Sequence, residues 1–508
     1  MNVAELICRH APGPDRVALI EPETGRELSF AGLDRRSGGL AAAMRDLGAG
    51  DGDRCAIVSK NSIEYFEIYL ACARAGTIAH GMNWRLAGPA LLEVLRDSDP
   101  KVVFFHAEFL DLVDRVKPEL EGIRWVMFDD GRESDYEDLI ERHDGRALPP
   151  RSDLDEPFAI MYTGGTSGDS KGAVHSHATV LVAMANNTIA ERIVPTDRYM
   201  LLGQAFHSAA VLALNYLRNG CPVVVMNFEP ESAMTAIEEY GVTAFLGFPA
   251  MLNYMLEAGA AASVDLGSLR NIQYGGGLWA APTIRGLLET FPCDFIQCYG
   301  TTESVGVTFL TQEDHRASVV EPELLGTVGR AAFLTEIAIH DGVGPAGEEV
   351  GEVMVRSASN MLGYWRDYRG TAPAPRPEWL PTGDSGYIDA RGYLHLVGRS
   401  KDVIISGGEN IYSGQVEKAI FDHPGVLEAA VVGVPDEHWG ESVKAFVVLR
   451  RPYAGRVGAD EIRDMVADGI GSYQKPRYVE FVDALPKAPT GKVMKHVLQK
   501  RAKEEEMP

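Results

Sequence analysis

The chain is short of cysteine, of long apolar runs and of positive charge, and each shortage excludes something. Its six cysteines (Cys8, Cys55, Cys72, Cys221, Cys293 and Cys298) are scattered through 508 residues without metal-ligand spacing, so neither a disulfide framework nor a zinc site is expected, only reduced thiols in or near the core. No stretch reaches the ~18 to 20 apolar residues that span a bilayer. A formal net charge of −24 provides no basic field for a nucleic-acid backbone, and any anionic substrate must be held by local donors. The opening residues, Met-Asn-Val-Ala-Glu-Leu-Ile-Cys, have neither the basic start nor the cleavage pattern of a signal peptide, so a cytoplasmic protein is expected. Internal repeats and low-complexity tracts are also missing.

What is present is the composition of an ordinary folded protein, 45% hydrophobic and 24% charged, on a chain long enough for about two to four structural units. Phe30 to Leu47 and Ile63 to Ala75 carry apolar residues near a 3.6-residue period and close on Gly48 and Gly76, which predicts two helices flanking a short buried strand at Arg54-Cys-Ala-Ile-Val-Ser. Apolar runs follow at Lys101-Val-Val-Phe-Phe, Trp125-Val-Met-Phe, Tyr199-Met-Leu-Leu, Pro222-Val-Val-Val-Met, Thr243-Ala-Phe-Leu, Asn271-Ile-Gln-Tyr and Asp294-Phe-Ile-Gln-Cys-Tyr. With helical segments between most of them, they read as buried parallel sheets.

From Gly326 the segments shorten and alternate, which predicts a smaller β-rich subdomain, and Thr371-Ala-Pro-Ala-Pro-Arg-Pro is a stiff loop. A second boundary falls near Gly398-Arg-Ser-Lys-Asp402. Beyond it, helices at Ser413 to Phe421 and Asp460 to Ile470 with strands at Leu427 to Val434, Val443 to Leu449 and Tyr478 to Val482 predict a small α+β unit. The fold class is therefore α/β: a large N-terminal domain of stacked αβ subdomains plus a β-rich subdomain, residues 1–398; a hinge, 399–402; and a small mobile α+β C-terminal domain, 403–508.

The chemistry starts at Tyr162-Thr-Gly-Gly-Thr-Ser-Gly-Asp-Ser-Lys-Gly172, after the apolar run Phe158-Ala-Ile-Met and before a helical stretch from about His177. Four glycines let backbone N–H groups turn toward an oxyanion, and the serine and threonine hydroxyls and Lys171 add donors. This is not a Walker loop, because Lys171 is followed by Gly172 and no hydroxyl is placed for Mg2+. Taken alone, the stretch fits a phosphate cradle or a polar surface turn. Its companions separate the two: Tyr299-Gly-Thr-Thr-Glu303, Pro381-Thr-Gly-Asp384, Gly398-Arg399 and Pro486-Lys-Ala-Pro-Thr-Gly-Lys492 follow in order along the chain.

That set, from about Ala4 to Leu498, resembles the adenylate-forming superfamily of acyl-CoA synthetases, luciferase-like enzymes and peptide-synthetase adenylation domains. The resemblance implies that Thr163, Gly164, Gly165, Thr166, Ser167, Gly168 and Lys171 wrap the β- and γ-phosphates of ATP. It implies that Tyr299 stacks on adenine beside Gly275, Gly276 and Gly277, within a motif that includes Gly300 and Thr301. Thr302 would bond the α-phosphate and Glu303 would hold Mg2+. Asp384 matches the acceptor of both ribose hydroxyls, Arg399 a ribose and phosphate contact, and Lys492 the lysine that bridges carboxylate and α-phosphate.

The stretch Lys401-Asp402-Val-Ile-Ile-Ser406-Gly-Gly-Glu-Asn410 is similar to the hinge and following loop of the CoA-ligase branch. It implies rotation about Lys401 and passage of a pantetheine arm past Gly407 and Gly408. Val434-Pro-Asp-Glu-His-Trp-Gly-Glu441 points to the same branch. The implied reaction joins a carboxylic acid, ATP and CoA into acyl-CoA, AMP and pyrophosphate through an acyl-adenylate, and the sequence leaves a homo-oligomer open.

His207 stands where amino-acid-activating relatives carry an aspartate for the α-amino group, and an imidazole replaces that ion pair poorly. His207 is expected to gate the pocket or orient the carboxylate. Small residues (the three glycines, Ala209, Ala210) facing apolar ones (Phe248, Met251, Leu252, Trp279) suit a bulky, largely apolar acid, whether polycyclic, aryl or medium-chain.

The loop departs from the family pattern, which has serine at Gly164, threonine at Ser167 and proline at Ser170. Losing one donor to a charged group costs about 1.5 to 3 kcal/mol, which slows adenylation without touching CoA transfer. Alternatives to the full ligase are therefore an enzyme that thioesterifies preformed acyl-AMP, one that loads a carrier protein, and a non-catalytic binding protein.

Overall fold

The computed structural model describes residues 2–8, 16–129, 134–151, 153–163, 171–248, 251–252, 254–255, 264–276, 281–340, 350–368, 378–406, 409–436, 439–487 and 493–506. The predicted stiff loop at 371–377 lies outside them. Two large sheets dominate. The first has the order Gly363–Tyr364, Gly172–Ser176, Pro157–Tyr162, Ile78–Gly81, Arg54–Val58, Val102–His106, Arg124–Phe128, and its last five strands are parallel. Helix Ile63–Ala75 packs against it with every residue buried and ends on Gly76 at φ 70°, the left-handed stop that glycine adopts without strain. Helix Phe30–Asp46 starts at Ser29, whose hydroxyl accepts from the Gly32 N–H.

The second sheet has nine strands, in the order Arg330–Ala331, Thr308–Leu310, Asp294–Tyr299, Asn271–Gly275, Ala244–Gly247, Tyr199–Leu201, Val223–Val225, Val17–Glu21, Arg26–Ser29. It is parallel from Asp294–Tyr299 through Val17–Glu21 and antiparallel at both edges. One apolar cluster runs from Phe30, Leu40, Phe66 and Leu70 to Tyr199, Leu214 and Val223, so the two sheets share a core.

The predicted β-rich subdomain is an antiparallel sheet of Thr335–His340, Gly351–Ser357, Leu380–Ile388 and Leu394–Arg399. The C-terminal sheet orders Glu409–Tyr412, Val403–Ser406, Gly440–Leu449 and Val426–Asp436, with Tyr478–Phe481 beside Gly440–Leu449. Alternate residues of Val426–Asp436 face opposite ways. Val431 joins Val416, Ile420 and Ile462 of helices Ser413–Phe421 and Ala459–Ile470, whereas Ala430, Val432 and Val434 join Leu498 and Ala502 of helix Lys495–Glu506. Among the described residues no helix is long and apolar enough to cross a membrane.

The helix expected from about His177 begins there, as His177–Glu191. Between it and the glycine-rich stretch lies a strand not expected from the sequence, Gly172–Ser176, which pairs antiparallel with Pro157–Tyr162. Glycine at 172 permits the close return, since a Cβ there would lie 2.7 Å from Ile160 Cγ2 and 2.9 Å from Tyr162 Cε2. A five-residue strand starting at glycine carries too little apolar period to be recognised from sequence.

Helix His177–Glu191 ends in a buried carboxyl. Glu191 accepts a 2.6 Å hydrogen bond from the Tyr216 hydroxyl, near the stacked Tyr199 ring, the Arg270 guanidinium and Asp197. Burial pushes its pKa up to about 7, against the opposing effects of Tyr216 and Arg270. The folded chain thus keeps this proton to about pH 7, whereas the unfolded chain releases it near its ordinary value of about 4.3, so stability falls as pH rises through that window. Glu191→Gln keeps the acceptor and removes the charge. The unfolding midpoint of the variant relative to wild type is expected to rise between pH 5 and pH 8, by the equivalent of roughly 3 kcal/mol. A difference independent of pH would refute the buried proton.

Candidate active site

Among the described motif residues, Tyr162, Gly275 and Tyr299 each end a parallel strand of one of the two large sheets, the usual position of a binding crevice in such sheets. Strand Asp294–Tyr299 delivers Tyr299 there. Gly300 must be glycine, because a Cβ would lie 2.9 Å from both the Gly306 nitrogen and the Ser304 oxygen. The turn that follows is closed by the Thr301 N–H to the Ser304 carbonyl and by the Ser304 N–H to the Thr301 hydroxyl. The Thr302 carbonyl accepts from His175 Nε2 at 2.8 Å.

Tyr299, Asp384 and Arg399 form one group. The Tyr299 hydroxyl donates to Asp384 Oδ2 at 2.7 Å, and Arg399 Nε sits 2.9 Å from Asp384 Oδ1. Asp384 and Arg399 face each other across adjacent strands, and the Asp384 N–H is held by Thr382 Oγ1. Burial first, and then the adjacent carboxylate, raise the Tyr299 phenol well above its ordinary pKa, so it stays a donor. Its ring packs with Val307, Val328, Val353 and Leu394 and is 9% exposed. Each Asp384 oxygen has one partner, and a carboxylate has about four lone-pair sites, so two acceptor positions remain.

A second group holds the charges. Glu303 Oε1 accepts from the Tyr364 hydroxyl at 2.8 Å, and Lys171 Nζ lies 5.0 Å from the centroid of the same ring. The neck of the glycine-rich loop is closed by the Thr163 N–H to the Lys171 carbonyl and by the Lys171 N–H to Thr163 Oγ1. Just before it, the Tyr162 hydroxyl donates to Asp97 Oδ2 at 2.5 Å.

The third group comprises His207, Asn61 and Phe248. His207 is partly buried, and burial lowers its pKa against the opposing pull of Glu303, so it is neutral at neutral pH. Asn61 ties its loop to the first sheet by donating to the Gly203 carbonyl and accepting from the Ala205 N–H. Phe248 is wedged between two glycines: a Cβ at Gly203 would lie 3.3 Å from its ring and one at Gly276, at φ 78°, 3.1 Å. Gly275 cannot carry a side chain either, since its Cβ would meet the Cys298 carbonyl at 2.3 Å.

Gly164, Gly165, Thr166, Ser167, Gly168, Ser170, Gly277, Trp279, Gly407, Gly408 and Lys492 lie outside the described residues. Lys401 is in the short 3-10 turn Ser400–Asp402 directly after Arg399 and is exposed. Tyr364, Asp97, Asn61 and His175 were not singled out from sequence. None stands in a recognisable spacing, and only the pairing of Gly363–Tyr364 with Gly172–Ser176 brings Tyr364 to Lys171. Among the described residues no group of three or more His, Cys, Asp or Glu side chains is arranged to hold a metal ion. A lone carboxylate such as Glu303 fits Mg2+ that is held jointly by substrate phosphates, the usual arrangement for that ion.

Two family models match the chain: AMP-binding enzyme over residues 9–365, and AMP-binding enzyme C-terminal domain over residues 415–492. The chain is 34% identical to the indoleacetate–CoA ligase of Aromatoleum aromaticum over 97% of each chain. It is 33% identical to the feruloyl-CoA synthase of an Amycolatopsis species over 94% of each. The crystal structure of ATP-bound MatB from Rhodopseudomonas palustris superposes with a TM-score of 0.87 at 27% identity, covering 99% of this chain and 100% of that one. Apo MatB, with the same identity and coverage, gives 0.78.

Proposed function

The chain belongs to the AMP-binding enzyme family, and from that premise we propose that it is an AMP-forming acyl-CoA ligase that activates a bulky, largely apolar acid. The observation that carries this reading is the meeting of Tyr299, Asp384 and Arg399 in one group and of Glu303 and Lys171 at Tyr364 in another. In it, Asp384 accepts the ribose hydroxyls with its two open positions, Arg399 contacts ribose and phosphate, and Tyr299 lies along the adenine. Lys171 and the loop 163–168 hold the β- and γ-phosphates, Thr302 the α-phosphate, and Glu303 the Mg2+ that would neutralise phosphate charge. Lys492 bridges the carboxylate and α-phosphate. Residues 403–508 then turn on the hinge 399–402, past Lys401, to admit the CoA thiol along Gly407 and Gly408.

In this reading the acyl group lies between His207 and the Phe248 ring. A flat apolar wall held against glycine backbone suits a planar aryl group, and two relatives, at 33% and 34% identity, are named for feruloyl and indoleacetate chemistry. A neutral imidazole at His207 suits a carboxylate better than an ammonium substrate.

The test is a product assay with ATP, CoA and a panel of aryl, polycyclic and medium-chain acids, run beside the same acids supplied as acyl-AMP and beside a phosphopantetheinylated carrier protein. Acyl-CoA, AMP and pyrophosphate are expected in equal amounts, fastest with aryl acids. A second reading rests on Gly164: if acyl-AMP plus CoA is converted while no acid with ATP is, the enzyme is a thioesterifier with a weak first step. Transfer to the carrier but not to CoA would place it in the carrier-loading branch, and inertness in every arm would make it a binding protein.

A further inference from the structure

Residues 360–366 connect three parts of the molecule that are distant in sequence. Asn360 accepts from the Ser304 hydroxyl at 2.8 Å, and the Met361 N–H donates to the Glu303 carbonyl at 2.8 Å. The Leu362 N–H donates to the Val174 carbonyl, and Gly363 and Tyr364 pair with Val174 and Ala173 on the strand that leaves the glycine-rich loop. Trp365 Nε1 and Arg366 Nε reach the Asp97 carbonyl and carboxylate at 3.0 Å each, and the same carboxylate holds the Tyr162 hydroxyl. One short segment therefore fixes the Glu303 turn on one side and both ends of the glycine-rich loop on the other.

Tyr364 is the member of this segment that touches both charges. Its hydroxyl takes Glu303 Oε1, and its ring lies under the Lys171 ammonium. Among the described residues no ion pair joins Lys171 to Glu303; Tyr364 contacts both instead, the carboxylate through its hydroxyl and the ammonium through its ring. A direct pair would spend the two groups on each other and leave neither for a phosphate or a cation. With one Glu303 oxygen held by the phenol, the other remains for a hard cation, while the ring face keeps Lys171 near by a weaker attraction that a phosphate displaces.

We propose that Tyr364 is a positioning residue for magnesium–ATP, setting the Glu303 carboxylate through its hydroxyl and holding Lys171 apart from that carboxylate through its ring. This rests on the reading of Glu303 as the metal carboxylate and Lys171 as a phosphate contact.

The experiment is equilibrium binding of ATP by calorimetry, without acid or CoA, across a magnesium series and in excess chelator, for wild type, Tyr364→Phe, Tyr364→Leu and Glu303→Gln. Tyr364→Phe keeps the ring and loses the hydroxyl, and a three- to tenfold loss of the magnesium-dependent gain in affinity is expected, with affinity in chelator unchanged. Tyr364→Leu also loses the ring, so affinity in chelator is expected to fall as well, as Lys171 turns to Glu303. Unfolding midpoints close to wild type identify these as effects on the site. A wild-type magnesium dependence in Tyr364→Phe overturns the proposal, as does an equal loss with and without magnesium. If Glu303→Gln itself leaves the magnesium dependence unchanged, the metal reading of Glu303 is what fails, and the proposal falls with it. A shifted Glu303→Gln beside an unshifted Tyr364→Phe removes the proposal alone.

Discussion

Asp384→Ala is expected to lower kcat/KM for ATP by at least a hundredfold, with most of the change in KM. The Asp384 carboxylate is buried, joins the Tyr299 hydroxyl to Arg399 Nε, and has two acceptor positions open. If those positions take ribose hydroxyls, removal forfeits two hydrogen bonds to a charged group, each worth about 1.5 to 3 kcal/mol, and about 1.4 kcal/mol is a factor of ten. It also frees the guanidinium that the carboxylate holds, although Arg399 remains 34% exposed, so water moderates that second effect. Asp384→Asn keeps the shape and one acceptor per ribose and should lose less. Pyrophosphate exchange and equilibrium ATP binding measure this directly. An ATP affinity near wild type in Asp384→Ala would remove the nucleoside from this end of the site.

Lys492→Ala is expected to reduce acyl-AMP formation by two or more orders of magnitude while thioester formation from supplied acyl-AMP and CoA continues. A single ammonium placed between carboxylate and α-phosphate lowers the repulsion between two anions at the moment they join, and such preset charge is usually the largest single contribution to a barrier. Nothing in CoA transfer calls for it, because the adenylate is already formed and the small domain would have turned away. The two half-reactions are assayed separately, one by pyrophosphate release and one by thioester absorbance. Equal loss in both would assign Lys492 to stability or to the domain interface.

The sequence by itself determined the elements whose pattern is local. Helix Ile63–Ala75 is bounded as its apolar period and Gly76 indicate, strand Asp294–Tyr299 as its apolar run indicates, and helix Ser413–Phe421 as its period indicates. Such segments are set by side chains within a few positions of one another, so composition and caps suffice. It also determined the types of groups available at the site, since phenol, carboxylate, guanidinium and ammonium are recognisable wherever they end up. Antiparallel edges were less legible. The hairpin Val17–Glu21 with Arg26–Ser29, and strand Gly172–Ser176, are too short or too polar to stand out, and they form because neighbouring strands offer unpaired backbone.

Only the tertiary structure decided which groups meet. Tyr299 finds Asp384 at a separation of 85 residues, and Tyr364 finds Glu303 at 61. A hydrogen bond has a range of about 3 Å, and no local period records which two strand ends will be brought within it. The same holds for Phe248, whose place between Gly203 and Gly276 depends on three separate strand ends converging. The chemistry was thus written in residue types, and the pairing of those residues was written in the order of the strands.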